Sequence, residues 1–283
     1  MTMARVAAGA AVPRRALCLL GAVLLAAAVG CSEEPHKAGG PWAGPYEVVT
    51  QQVSADDADG GFGDGTVRYP DDGSRDYGVI AASPGLGADE STVAPYGELL
   101  ASHGFVVITI DTKTPEDSPA QRGRQLLRAL DYATERSDAA DRADPRRLGV
   151  LGHSMGGGGA LYAAARNPHI RAAVPLTPYA TRRDWHRVEA PTLVVGGSDD
   201  EVAPVSEYAD AFYEGLSGAR EKAYLELKGD HFVATPPDGL VSRQVVAWFG
   251  HFLAGAPGSP CPLPSGDGVT ESRDTCPFGT RGR

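Results

Sequence analysis

Ser154 sits in Gly152-His153-Ser154-Met155-Gly156, a G-x-S-x-G spacing with the apolar stretch 148–151 before it and the alanine-rich stretch 160–167 after it. A serine hydroxyl is a weak nucleophile at neutral pH and needs a base within hydrogen-bond reach. It also needs exposure. A strand that turns sharply into a helix raises the hydroxyl above the sheet edge, beside the unpaired N–H groups of the helix start. Glycines on either side let the two segments pack that closely. Residues 148–151 read as a short buried strand and 160 onward as a helix, so the spacing stands where this chemistry requires it. Acyl transfer through a serine nucleophile is what it implies. The bland alternative is a glycine-rich turn carrying an exposed serine.

Histidine suits the base, because its pKa lies near working pH. The chain has seven. His36 lies in a Pro/Gly-rich stretch, His169 and His186 in polar turns, His103 at a helix end and His251 inside the last predicted helix. His153 adjoins the serine and is expected to point elsewhere. His231 alone follows a late predicted strand and precedes the final helix, so it is the candidate base. A carboxylate must then hold the other ring N–H of the imidazole. Asp199, Asp200 and Glu201, in the loop after 193–195, all fit by type. Asp111 competes, although it precedes Ser154 in the chain. An oxyanion needs two donors. The amide of Met155 is one, and the loop Ser83-Pro84-Gly85-Leu86-Gly87 offers the amide of Leu86 as the other.

The elements that must position these residues follow from hydropathy. Stretches 67–69, 78–83, 105–110, 148–151, 172–176, 193–195 and 223–227 read as strands, being aliphatic or β-branched and bounded by Gly, Pro or Asp. Stretches 92–102, 120–134, 159–167, 205–216 and 241–253 read as helices. The alternation predicts an α/β fold, a mostly parallel central sheet flanked by helices, with antiparallel edge strands from 46–69. Active groups of such sheets gather at the carboxyl ends of the strands. The loops at 83–86, 153–155, 197–200 and 230–232 lie there, and the order Ser, Asp, His is that of α/β-hydrolases.

The chain ends read differently. Arg5, Arg14 and Arg15 precede an apolar run, 16–29, too short to span a bilayer comfortably. Ala28-Val29-Gly30-Cys31 resembles a bacterial lipobox that would lipidate Cys31, with Ala28 where leucine is usual. Plain signal-peptide cleavage nearby is the alternative, and Arg14-Arg15 fits a twin-arginine signal poorly. The expectation is a signal peptide over 1–30, a flexible Pro/Gly-rich tether over 31–45 and one domain over 46–283. The net charge of −10 argues against nucleic acid or anionic lipid as partners. No second hydrophobic span follows, so membrane attachment is expected only through a lipid on Cys31, on an exported monomer. Cys18 leaves with the leader. Cys261 and Cys276 remain, and an oxidising compartment predicts a disulfide between them. Its loop of roughly 15 residues corresponds to about 3 kcal/mol of chain entropy. Zinc would need more ligands than this tail offers.

Six blocks carry a more specific likeness: GHSMGGGG at 152–159, ASHGFVVITID at 101–111, PLTP at 175–178, KAYLEL at 222–227, His231-Phe232, and TCPF at 275–278. They resemble the actinobacterial cutinases and polyester hydrolases, lid-less α/β-hydrolases of which some cleave poly(ethylene terephthalate). The likeness runs from about residue 45 to 278. It implies Ser154 as nucleophile, His231 as base and Asp200, rather than Asp199, as the acid. It also implies a Cys261–Cys276 disulfide and oxyanion donors at Leu86 and Met155.

The departures bear on substrate. Leu86 stands where the family has Tyr, Tyr179 where it has Trp, and Pro95 where a Trp is common. The substrate subsite is therefore read as Leu86 and Tyr179, with aliphatic esters and polyesters preferred over aromatic polyesters. Family members often bind calcium through three acidic positions, whose counterparts here are Ser198, Lys228 and about Thr270, with one residue fewer around Gly229-Asp230. A hard cation needs anionic oxygen ligands, so no metal and no cofactor are expected. Two other functions remain open: a small-ester or lipid acetylhydrolase on the same fold, and a non-catalytic surface lipoprotein.

Overall fold

The computed structural model describes residues 35–74, 76–255 and 259–279. The expected signal peptide and Cys31 lie outside them. Among the described residues no helix is long and apolar enough to cross a membrane.

Among the described residues ten strands form one sheet. In chain order the elements are β1 (His36–Lys37), β2 (Glu47–Val53), β3 (Gly65–Pro70), β4 (Tyr77–Ser83), α1 (Ala94–Ser102), β5 (Phe105–Ile110), α2 (Pro119–Glu135) and β6 (Ala143–His153). There follow α3 (Met155–Arg166), β7 (Ile170–Leu176), β8 (Thr192–Gly197), α4 (Ala209–Gly215), β9 (Lys222–Leu227), α5 (Gly239–Phe249) and β10 (Val269–Asp274). The spatial order is β1-β2-β3-β5-β4-β6-β7-β8-β9-β10. Strands β5, β4, β6, β7, β8 and β9 run parallel, while β1 to β3 at one edge and β10 at the other pair antiparallel. The strand order reverses at β4, with β5 on one side and β6 on the other. That reversal opens a crevice at the carboxyl ends of β4 and β6, the usual place for a ligand in such a sheet.

Both faces of the sheet are buried, as its continuous aliphatic runs predict, and successive side chains of a strand enter opposite cores. Val79 and Ala81 of β4 point into one core with Leu126 and Leu130 of α2 and Leu161 of α3. Ile80 and Ala82 point into the other, with Leu100 of α1 and Val241, Val245 and Trp248 of α5. Each fully buried Val, Leu or Ile side chain among them stabilises the fold by roughly 1.5–3 kcal/mol. Helix α2 starts where its sequence says it should. Ser118 and Gln121 form a capping box and Pro119 takes the first helical position.

Element limits differ from the sequence pattern at informative places. The pattern starts a helix at 159, yet α3 begins at Met155. Four consecutive glycines have poor helix propensity, but tertiary packing overrides it, because a Cβ on Gly158 would lie 2.2 Å from the Tyr179 carbonyl oxygen. Helix α4 covers only Ala209–Gly215 of the predicted 205–216, since turns occupy its start. Helix α5 ends at Phe249 and runs into a π-helical turn, Gly250–Ala254.

Part of the segment expected as a tether is bound to the sheet and helices. His36 and Lys37 pair with Val48 and Glu47, and the Gly44 amide donates to Ser102 Oγ at 3.0 Å. Trp42 lies under the Arg243 guanidinium, 4.9 Å from ring centroid to Cζ. Composition marked this stretch as polar and turn-rich but carried no signal for those long-range contacts. At the other end Cys261 and Cys276 form a disulfide with Cα atoms 6.2 Å apart. Phe278 packs edge-on to Trp248 of α5 with ring centroids 5.2 Å apart.

Candidate active site

Ser154 occupies the turn from β6 into α3 with φ 55° and ψ −120°. A residue with a side chain is strained there, and its neighbours hold it in place. Its amide donates to the Leu176 carbonyl at 2.9 Å, and its own carbonyl accepts from the amides of Gly158 (3.1 Å) and Tyr179 (2.9 Å). The flanking glycines follow from close approach. A Cβ on Gly152 would stand 2.3 Å from the Gly156 carbonyl oxygen, and one on Gly156 would stand 2.1 Å from that of Ser83. The Ser154 hydroxyl makes no hydrogen bond among the described residues, and it faces a cavity of about 400 Å³.

The same cavity is lined by His231. Its Nδ1 lies 2.7 Å from Asp200 Oδ2, and both side chains are buried. An ionised carboxylate only accepts, so Nδ1 carries the proton and Nε2 keeps a lone pair. The other oxygen of Asp200, Oδ1, accepts from the amides of Val202 (2.9 Å) and Ala203 (2.7 Å). The competing acids go elsewhere. Asp199 pairs with the Lys228 ammonium at 2.9 Å, which lowers its pKa, and Glu201 is exposed. Asp111 accepts from the Glu90 amide at 2.6 Å and does not line the cavity. Asp200 is the carboxylate that meets His231.

His153 does not point away, as adjacency to the serine suggested. Its ring lies 4.9 Å from that of His231 and borders the cavity. Its Nε2–H donates to the His231 carbonyl at 2.9 Å, and Thr177 Oγ1 donates to the same oxygen at 2.9 Å. Thr177 takes a φ of 36°, unusual for a β-branched residue, and that turn places its hydroxyl there. The backbone of His231 is therefore held by two buried side chains while Asp200 holds its ring.

Burial pushes the pKa of His153 down to about 4, while the adjacent His231 carbonyl resists that shift. The unfolded chain binds a proton on this ring below the ordinary value of 6.5, and the folded protein refuses it until about 4. Stability from this residue is thus full above pH 6.5 and falls as the pH drops toward 4, by about 1.4 kcal/mol per unit. Urea unfolding at pH 7 and pH 5 should differ by about 2 kcal/mol more in the wild type than in His153→Gln. Equal pH dependence in the two proteins would reject this account.

The loop after β4 closes the other side. A Cβ on Gly85 would lie 3.0 Å from Ser154 Cβ, so this loop touches the elbow. The amides of Leu86 and Met155 meet no acceptor among the described residues. Leu86 and Tyr179 both line the cavity, as expected, and so do Val202 and Phe232, which the sequence reading passed over. Leu86, Val202 and Phe232 are more than half exposed and give the mouth an apolar rim. A signal existed for both missed residues: each is a bare apolar side chain in an otherwise polar loop, beside Asp200 or His231. The Tyr179 ring stacks on Tyr208 at 4.8 Å. Pro95 lies in the first turn of α1, in a groove beside Trp42 and away from this cavity.

The positions that correspond to a family calcium site do not fit a cation. Lys228 places an ammonium against Asp199, and Thr270 Oγ1 donates to Glu226 at 2.7 Å. No group of three or more His, Cys, Asp or Glu side chains gathers to hold a metal among the described residues.

A serine on a strained strand-to-helix turn at the switch point of a parallel sheet, sharing one cavity with a histidine whose ring meets an aspartate from the loop after β8, fits the α/β-hydrolase fold. Residues 35–277 match the family described as PET hydrolase-like. The chain is 44% identical over 245 residues to a bis(hydroxyethyl) terephthalate hydrolase of Streptomyces coelicolor, covering 84% of this chain and 78% of that one. It is equally identical, at 44% over 245 residues, to cutinase 2 of Thermobifida cellulosilytica, covering 83% and 92%. Cutinase est1 of Thermobifida alba is 42% identical over 246 residues, covering 83% and 82%. The chain belongs to the PET hydrolase-like family and is a carboxylic-ester hydrolase.

Proposed function

We propose that this enzyme cleaves aliphatic esters and polyesters through Ser154, His231 and Asp200. Ser154 Oγ attacks the ester carbonyl carbon while His231 Nε2 takes its proton. The carbonyl oxygen, now an alkoxide, lies between the amides of Leu86 and Met155. Collapse of this intermediate expels the alcohol, which leaves with the proton from Nε2, and an acyl-serine remains. Water then attacks, gives its proton to Nε2, and the acid departs as the proton returns to Ser154. Asp200 keeps the imidazole in the needed tautomer and stabilises its cation. The observation that carries this reading is the shared cavity, in which the strained, open Ser154 faces a His231 whose Nδ1 lies 2.7 Å from Asp200. A fluorophosphonate should label the wild type and not Ser154→Ala. Absence of labelling of the wild type would reject Ser154 as the nucleophile.

The aliphatic preference rests on the rim. Leu86 contacts a flexible acyl chain but offers no ring, and Tyr179 is the smaller aromatic. An aromatic pair is worth roughly 0.5–1.5 kcal/mol beyond area burial, so a missing ring lowers aromatic binding by up to about tenfold. Export, with attachment through a lipid on Cys31, is the cellular setting consistent with the leader-like residues 1–30.

One relative is named for bis(hydroxyethyl) terephthalate, which favours a second reading, turnover of small soluble aromatic diesters. The test is a parallel assay on polycaprolactone, amorphous poly(ethylene terephthalate) and bis(hydroxyethyl) terephthalate with wild type, Leu86→Tyr and Tyr179→Trp. Polycaprolactone should be degraded faster than the aromatic polymer, and either swap should raise aromatic turnover. Equal wild-type rates on the two polymers, with neither swap helping, would reject the subsite argument. A high rate on the soluble diester alone would support the second reading.

A further inference from the structure

Arg122 is fully buried, among the largest such side chains in the protein. A buried charge is normally paired with an opposite one. Here the guanidinium instead meets backbone carbonyls. Nε–H donates to Asp117 O at 2.8 Å, Nη1 to Pro84 O at 3.1 Å and to Thr112 Oγ1 at 3.3 Å, and Nη2 to Pro115 O at 2.7 Å. The carboxylate of Asp117 is committed to Thr114, Gln121 and Gln125. Burial lowers the Arg122 pKa, and Asp117 and Glu116 oppose that shift from a distance.

The carbonyls it holds flank one loop. Pro84 O belongs to the peptide just before Gly85-Leu86. Pro115 O also accepts the Gly87 amide at 3.0 Å, just after Leu86. The planar fork therefore fixes the backbone on both sides of Leu86, directly at 84 and through Pro115 at 87. Its stem is confined too, since a Cβ on Gly159 of α3 would lie 2.9 Å from Arg122 Cβ. One rigid group thus spans α2, the base of α3 and the loop after β4.

We infer that Arg122 is a positioning residue for ester hydrolysis, aiming the Leu86 amide at the oxyanion from beneath the loop. This rests on the proposed role of Leu86 and Met155 as oxyanion donors. Such donors act only when they lie 2.7–3.1 Å from the place the alkoxide will occupy, so a small displacement of the loop weakens the transition state more than the bound substrate. Lysine cannot replace this function. Its single ammonium cannot bridge carbonyls at 84, 115 and 117 at once.

The test uses Arg122→Lys and Arg122→Gln with p-nitrophenyl butyrate and its thionoester, in which C=S replaces C=O. Sulfur is larger and a poorer acceptor, so two aligned amides should make the wild type favour the oxygen ester. In the variants kcat on the oxygen ester should fall on the order of 10- to 100-fold, less than outright loss of a donor. KM should stay within about threefold, the mark of an interaction made in the transition state. The thionoester rate should fall much less, so the discrimination shrinks. A purely structural role would lower both rates together, and that result would overturn the inference. Variants as active as the wild type, or both melting below the assay temperature, would overturn it as well. A wild type with no preference for the oxygen ester would remove the two-amide reading itself, and this inference with it.

Discussion

Ser154→Ala should lower hydrolysis of a short p-nitrophenyl ester by on the order of 10⁵- to 10⁶-fold, the loss seen when the nucleophile of a comparable triad is removed. The protein should fold normally. The hydroxyl makes no hydrogen bond among the described residues, and the strained backbone at φ 55° is held by bonds to Leu176, Gly158 and Tyr179 that alanine keeps. Alanine retains the Cβ, so the conformational strain is the same in both proteins. The unfolding free energy should therefore stay within about 0.5 kcal/mol of wild type, as for substitutions that touch no packing or buried bond. Activity within tenfold of wild type, measured on protein shown to be folded, would mean another group attacks the ester. Loss of activity accompanied by loss of folding would place Ser154 among structural residues instead.

The sheet was the most legible part of the chain, because buried parallel strands write themselves as short aliphatic runs between turn residues. Stretches 78–83 and 105–110 fall within one residue of β4 and on β5. The elbow was legible for a related reason: its glycines answer backbone clashes that only one geometry produces. Less visible were features made by contacts distant in sequence. The start of α3 is set by what Gly156 to Gly159 touch on other elements, and propensity alone argues against a helix there. His153 looked like a bystander because nothing local shows that its ring reaches the His231 carbonyl, 78 residues on. Arg122 carried no signal at all. An arginine four positions into an amphipathic helix reads as surface charge until the carbonyls around it are seen.

The three acids of the loop after β8 were equivalent by type, and their surroundings now separate them sharply. Asp200→Asn should reduce kcat by about 10⁴-fold, while Asp199→Asn should change it by less than about threefold. Asparagine at 200 can keep an acceptor oxygen toward the amides of Val202 and Ala203, so the loop should hold its shape. What it loses is the charge beside His231 Nδ1, and its amide can present N–H to that atom instead of accepting from it. The imidazole would then take the wrong tautomer, with its proton on Nε2, where it cannot receive one from Ser154. Asp199 has no such task. It is half exposed and pairs with Lys228 at the surface, where an ion pair contributes little and salt screens it. Melting curves of both variants should lie near wild type, so that the contrast reads chemistry alone. Equal losses at the two positions, or a larger one at 199, would mean that the 2.7 Å contact between Asp200 and His231 does not serve the reaction.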